Sequence, residues 1–186
     1  TLAVAVGTFI SAFWILSANS WMQTPVGYAI NAGGQFVPAD WWAIVFNPSF
    51  PYRITHVLLA SGLTASFVLA GLSAWRLLRA PADVSALRTL RTGVVIAAVI
   101  APLQIFVGDL HGLNTLEHQP AKIAAIEALW NTERGAPLVL FAVPNADTRH
   151  NDFAIEVPKL ASLILKHDPE GEVKVEALPA QAPLPM

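Results

Sequence analysis

PYRITHVLLASGLTASFVLAGLSAWRLLR, residues 51–79, is the stretch whose reading decides the fold. No charged residue falls between Val57 and Trp75. At a rise of roughly 1.5 Å per residue that run makes a helix of about 28 Å, close to a bilayer core of about 30 Å. Arg53 precedes the run, and Arg76 and Arg79 follow it. The segment therefore predicts a membrane helix with one histidine, His56, about a turn inside one face. Two readings of His56 compete. It is an imidazole hydrogen-bonded to a neighbouring helix or reaching for the interface, or it is a metal or haem ligand. Helical spacing puts Ala60, Leu63, Thr64 and Phe67 on its face, and the small Ala60 leaves room beside the ring. Another face carries Gly62, Ser66, Ala70 and Ala74 at every fourth position, a ladder that lets a second helix approach closely.

The chain around it has 186 residues, 54% hydrophobic and 13% charged. Soluble domains average about 25% charged residues, so the composition points to a membrane protein. The net charge of −2 argues against nucleic acid as a partner. With no cysteine, disulfides, cysteine-ligated zinc and iron–sulfur clusters are excluded. Five histidines remain as candidate ligands. Thr1 opens directly into an apolar run without a basic n-region, which is not a signal peptide and predicts a fragment beginning inside a helix.

Two more spans flank the central one, giving predicted helices at about 1–23, 53–79 and 90–108. Pro25 and Gly27 stop the first, and Trp21 and Met22 mark its interfacial end. Met22 is an apolar interfacial side chain or, less favoured, an axial ligand. Residues 24–52 form an external loop, in which Asp40 caps a short amphipathic helix over 39–46 that lies in the interface or lids the bundle. Arg76, Arg79, Arg88 and Arg91 cluster against the single Asp83 and mark the inner side. His56 therefore falls near the outer face. Pro102 and Gln104 interrupt the third span, where Pro102 predicts a kink.

From Asp109 on, charges return. Residues 109–186 read as an external polar region, separate from the transmembrane part at 1–108. It carries a helix opened by Pro120 and closed by Gly135, a strand at 139–143 and a helix at 157–166. ALPAQAPLPM, at 177–186, reads as flexible. Lys122 and Glu127 are five apart, about 140° around a helix, so they form no i,i+4 pair. They flank a pocket from two sides or are two solvated charges, and spacing alone favours the second. Asp109 is an interfacial proton acceptor or a boundary cap. His111 and His118 are seven apart, with His150 and His167 remote, and show no zinc spacing.

WILSANSWMQTPVG (14–27), FNP with RITH (46–56), GDLHG (108–112), EHQPAKIAAIEALWNTE (117–133) and PN-x-x-TR-x-NDFAIEVP (144–158) occur in order. On these motifs, over about residues 1–175, the chain resembles subunit I of the cytochrome bd-type quinol oxidases. With its shorter quinol loop, the cyanide-insensitive branch is the more similar.

The resemblance implies an all-α membrane protein of three transmembrane helices plus an external, partly helical quinol-binding loop, cut from a larger bundle. It implies that His56 is the axial ligand of a low-spin haem b near the outer face, and that Arg53 pairs with a propionate. It places Lys122 and Glu127 in the quinol-binding loop, reversing the preference from spacing, with Asp109 at the loop's start. Ubiquinol or menaquinol would be oxidised at the outer face, with protons released there. Electrons would pass through the His56 haem to a high-spin haem b and a haem d or second b-type haem, where oxygen becomes water and a proton-motive force builds. The methionine ligand of the low-spin haem and the glutamate of the high-spin haem lie downstream of this stretch. The haem d histidine and the proton-channel carboxylates lie upstream, so the stretch alone is expected to be inactive. Implied partners are subunit II, a small single-helix subunit and the lipid bilayer. The implied location is the bacterial cytoplasmic (inner) membrane, with 24–52 and 109–186 outside. The alternative is a non-redox transporter or structural subunit in which His56 packs or relays protons.

Overall fold

The first helix, α1 (Leu2–Gln23), begins a series of three long apolar helices completed by α3 (Phe50–Arg79) and α4 (Val84–His118). The structure, a computed structural model, describes residues 1–175; the segment 177–186 lies outside the described residues. All three helices are long and apolar enough to cross a membrane. Large apolar side chains such as Phe9, Phe67, Ile105 and Phe106 face outward. Apart from Phe50 at the start of α3, the buried residues of these helices are small or polar, among them Ser17, Ser20, Ser66, Ser73, Ala86, Ala97, Asn114 and Thr115. That inversion of the soluble pattern lets helices approach through small residues while bulky ones meet lipid or neighbouring helices. The mostly helical membrane fold predicted from sequence is the one found.

The small-residue ladder on α3 receives α4. A Cβ built on Gly93 would stand 2.9 Å from the Ser66 carbonyl oxygen and 3.2 Å from the Ala70 nitrogen. One built on Gly62 would stand 3.0 Å from Ile100. α4 starts earlier than the predicted third span because Asp83 caps it, with Oδ1 accepting from the Ala86 nitrogen at 2.9 Å. The same carboxylate meets Arg76 at 2.8 Å, so Asp83 joins the turn to both helices. Those contacts, led by the Ala86 N–H, hold its pKa below the usual carboxylate range. α4 also runs further than expected: Asp109 lies inside it, and the helix ends at His118.

Between α1 and α3 the loop is more ordered than predicted. A hairpin forms from β1 (Tyr28–Ile30) and β2 (Phe36–Pro38), paired antiparallel. Asn31 organises its turn, accepting at Oδ1 from the nitrogens of Gly33 (2.9 Å) and Gln35 (3.0 Å). The short helix expected here is α2 (Trp41–Val45), capped by Asp40 as predicted. Asn47, fully buried, ties the end of α2 to α1. It donates to Ser20 Oγ at 3.0 Å and to the Ile44 carbonyl at 3.0 Å, and accepts from Thr24 Oγ1 at 3.1 Å.

The chain divides into two compact units, Thr1–His111 and the residues from Gly112 on. The second packs α5 (Pro120–Ile126), β3 (Glu133–Arg134), β4 (Leu138–Asn145), β5 (His150–Val157), α6 (Leu160–Lys166) and β6 (Glu172–Val173). β4 pairs with β5 and β3 with β6, all antiparallel. Its core is Ile123, Ala124, Leu129, Ala136, Ala161, Leu165 and Val173. The predicted strand is the middle of β4, and the predicted last helix begins only at Leu160, since Val157 closes β5 and a turn at 158–159 follows. The helix expected to reach Gly135 stops at Ile126, because Ala128 turns left-handed at φ 54°.

Candidate functional site

His56 sits one turn and a half into α3 and is half-buried against α4. Gln104, Gly108 and His111 recur on α4 at intervals of four and three, so they form one stripe. The His56 ring lies on that stripe. Gln104 Nε2 is 3.2 Å from its Nδ1 and 3.0 Å from its Nε2. The His111 ring is tilted against it, with centroids 5.7 Å apart. Gly108 leaves the space between: a Cβ there would lie 3.5 Å from His56 Cε1. Gln104 Oε1 is buried and has no hydrogen-bond partner. The sequence reading noted Gln104 only as a break in the span and His111 only for its spacing. The missed signal was their shared stripe with Gly108 on a helix facing a histidine.

Arg53, one turn before His56, donates from Nη1 to Asn19 Oδ1 on α1 at 2.9 Å. Its Nε is buried with no partner. The Arg53 side chain thus spends one donor on helix packing and retains another within a turn of the imidazole. Asp109 is half-buried on α4. Met22 is largely exposed at the end of α1.

In the second unit Lys122 is exposed on α5, and Glu127 occupies the cap position just past its last turn. No ion pair joins the two, as their spacing predicts. Glu127 is half-buried, and that loss of solvent pushes its carboxyl above the usual range. Asn151 on β5, which the sequence reading did not single out, holds the turn that follows Glu127. Its Nδ2 donates to the Ala128 carbonyl at 2.8 Å, and its Oδ1 accepts from the Trp130 indole at 2.8 Å. A cavity of about 190 Å³ opens beside this turn, lined by Trp130, Asn151, Glu133, His150 and Glu156 among others. Burial and the nearby Glu156 raise the Glu133 carboxyl as well.

Three apolar spans and an intramembrane imidazole held between two of them define a multi-helix membrane protein with a built histidine site. Within that class, the chain belongs to the cytochrome bd terminal oxidase subunit I family, whose model matches residues 1–183. It is 35% identical over 171 residues to cytochrome bd-II ubiquinol oxidase subunit 1 of Escherichia coli (strain K12), covering 90% of this chain and 33% of that protein. It is 33% identical over 174 residues to cytochrome bd ubiquinol oxidase subunit 1 of Bacillus subtilis (strain 168), covering 92% of this chain and 36% of that one. The solved bd oxidase of Geobacillus thermodenitrificans superposes with a TM-score of 0.81 at 32% identity, over 96% of this chain and 41% of that chain. The chain spans about a third of the length of these curated relatives. Its apolar helices and bacterial relatives make it a bacterial membrane protein.

Proposed function

We propose that this chain supplies the quinol-oxidising side and one haem ligand of a respiratory quinol:oxygen oxidoreductase. The observation that carries the reading is His56, an imidazole held inside a membrane helix by a facing stripe of Gln104, Gly108 and His111. The residues suit a low-spin haem b. A porphyrin brings four nitrogens of its own and asks the chain for one or two axial ligands. Here His56 would supply one of them, with the His111 ring tilted beside it. The buried, unpaired Gln104 Oε1 fits as well. Gln104 stands over the ring, its nitrogen near both ring nitrogens, so it packs against the imidazole without fixing which of them would face a haem. Arg53 Nε is a spare donor for a propionate. When bound, the haem supplies one-electron chemistry within the membrane.

The other roles belong to the second unit and, for Asp109, to the end of the first. Glu127, kept partly out of water, is a carboxylate whose raised pKa makes it a stronger acceptor for a quinol hydroxyl proton. Lys122 supplies a donor to the second quinol oxygen, and Asp109 is a further proton acceptor. The regions at 24–52 and 109–186 lie outside the cytoplasmic membrane in this reading, so the protons leave there. Ubiquinol or menaquinol is the substrate. Subunit II, a small single-helix subunit and the remaining haems complete the enzyme and its proton-motive function, and the transmembrane part at 1–108 and the quinol loop at 109–186 are its two divisions here.

The test is steady-state quinol oxidation by the complete oxidase carrying Glu127→Gln or Lys122→Met. Either change lowers the rate by about 10²-fold or more, the usual worth of a positioned proton acceptor or charged hydrogen-bond donor. Oxygen consumption driven by a chemical one-electron donor stays at wild-type level. Unchanged quinol oxidation in both variants would overturn these roles.

A further inference from the structure

We infer that Asn151 is a positioning residue for the Glu127 carboxyl, acting through the turn at 128–130. This rests on the reading of Glu127 as the quinol proton acceptor. Helix α5 must stop at Ile126 if Glu127 is to stand at a helix cap and not on a further turn. The Glu127 nitrogen closes the last turn onto the Ile123 carbonyl at 2.9 Å. The chain then reverses at Ala128, a non-glycine residue with φ 54°. Such a conformation persists only where surrounding contacts enforce it.

Three contacts do so here. Leu129 is buried in the core and its nitrogen donates to the Ala124 carbonyl at 2.8 Å. The Ala128 carbonyl, which the reversal turns away from the helix, is taken by Asn151 Nδ2 at 2.8 Å. Trp130 then donates its indole N–H to Asn151 Oδ1 at 2.8 Å, which fixes the orientation of the amide. Asn151 is itself buried in β5, so a rigid strand sets the position of the turn. One side chain from a distant strand thus bonds the residue after Glu127 and the side chain three residues beyond it. Both amide ends are used, so neither a shorter nor an apolar residue can reproduce the clamp.

The test compares Asn151→Asp with wild type and Glu127→Gln in the complete oxidase. Aspartate keeps the shape and the acceptor for Trp130 but turns a carboxylate oxygen toward the Ala128 carbonyl. The turn then relaxes, Glu127 gains solvent, and kcat for quinol oxidation falls about ten- to a hundredfold, the scale of a displaced catalytic group. The acid limb of the pH–rate profile moves as well, and in Asn151→Leu, which removes the clamp without adding a charge, it moves to lower pH, because a better solvated carboxyl ionises more easily. The haem absorption spectrum stays unchanged. A wild-type rate and profile in Asn151→Asp beside an impaired Glu127→Gln would overturn the positioning role and leave the reading of Glu127 intact. A wild-type rate in Glu127→Gln would overturn both. If Asn151→Asp fails to accumulate, Trp130→Phe removes only the bond that orients the amide. It is expected to shift the profile in the same direction by a smaller step, and a wild-type profile there would refute the inference.

Discussion

His56 on α3 meets Gln104 on α4 across a helix pair brought close by glycine, with the amide nitrogen 3.2 Å from Nδ1 and 3.0 Å from Nε2. That places the amide over the face of the ring, so a neighbouring helix and not water packs against the imidazole. Gln104→Leu keeps the bulk and removes the hydrogen bond. In the complete oxidase it is expected to lower low-spin haem b affinity by about 10–100-fold, the usual scale for an outer partner of a ligating histidine. The haem-to-protein ratio of purified enzyme measures it, and full occupancy would show that the amide does not orient the ligand.

Gly93 is a point on α4 where any side chain would meet the α3 backbone. Gly93→Ala puts a methyl 2.9 Å from the Ser66 carbonyl oxygen, where backbone has to move. The cost expected is about 1–3 kcal/mol, that of overpacking. Gly71, on α3, has nothing within 4 Å of a built Cβ. Gly71→Ala is therefore expected to be neutral or to stabilise by up to about 1 kcal/mol through helix propensity. Unfolding in mixed detergent micelles separates the two, and equal effects would contradict the packing described.

Asn47 is the hub between α1 and α2. Asn47→Ala leaves buried polar groups short of a partner, and the expected loss is about 1–3 kcal/mol. The segment 24–47 should then exchange its amide hydrogens faster while the centre of α3 does not. Unchanged exchange over 24–47 would mean the network is incidental.

How much of this was readable in advance follows from the range of each interaction. Spans are a matter of local composition, and all three were legible, as was the Asp40 cap, which bonds residues two and three positions on. The start of α4 was misplaced because Asp83 works as a cap, and its nearby arginines drew the reading toward a charged loop. The end of α5 was missed because the left-handed Ala128 is enforced by Asn151, 23 residues later. Alternation alone does not reveal that. His56 stood out as an intramembrane imidazole, but Gln104, 48 residues on, shares no local pattern with it. Contacts across long separations are fixed by packing, and one sequence does not show them.

The Glu127 carboxyl has its folded pKa raised above its ordinary value by burial. The sign follows: between the unfolded and folded pKa values the native state holds the extra proton, so stability falls as pH rises through that window and stays lower above it. Asp83 behaves oppositely, since its pKa is depressed; its contribution is present above the ordinary carboxylate range and lost as pH falls. Glu127→Gln should therefore flatten the loss of stability above about pH 4.5, and Asp83→Asn should flatten the loss on acidification. Thermal unfolding across pH checks both, and slopes unaltered by either change would contradict the assignments.

The most direct measurement of the central claim is a reduced-minus-oxidised optical spectrum of the complete oxidase, wild type beside His56→Ala. The account predicts selective loss of the low-spin haem b signal together with quinol oxidation, the remaining haem signals being kept. An unchanged spectrum would make His56 a packing or proton-relay residue and contradict the account.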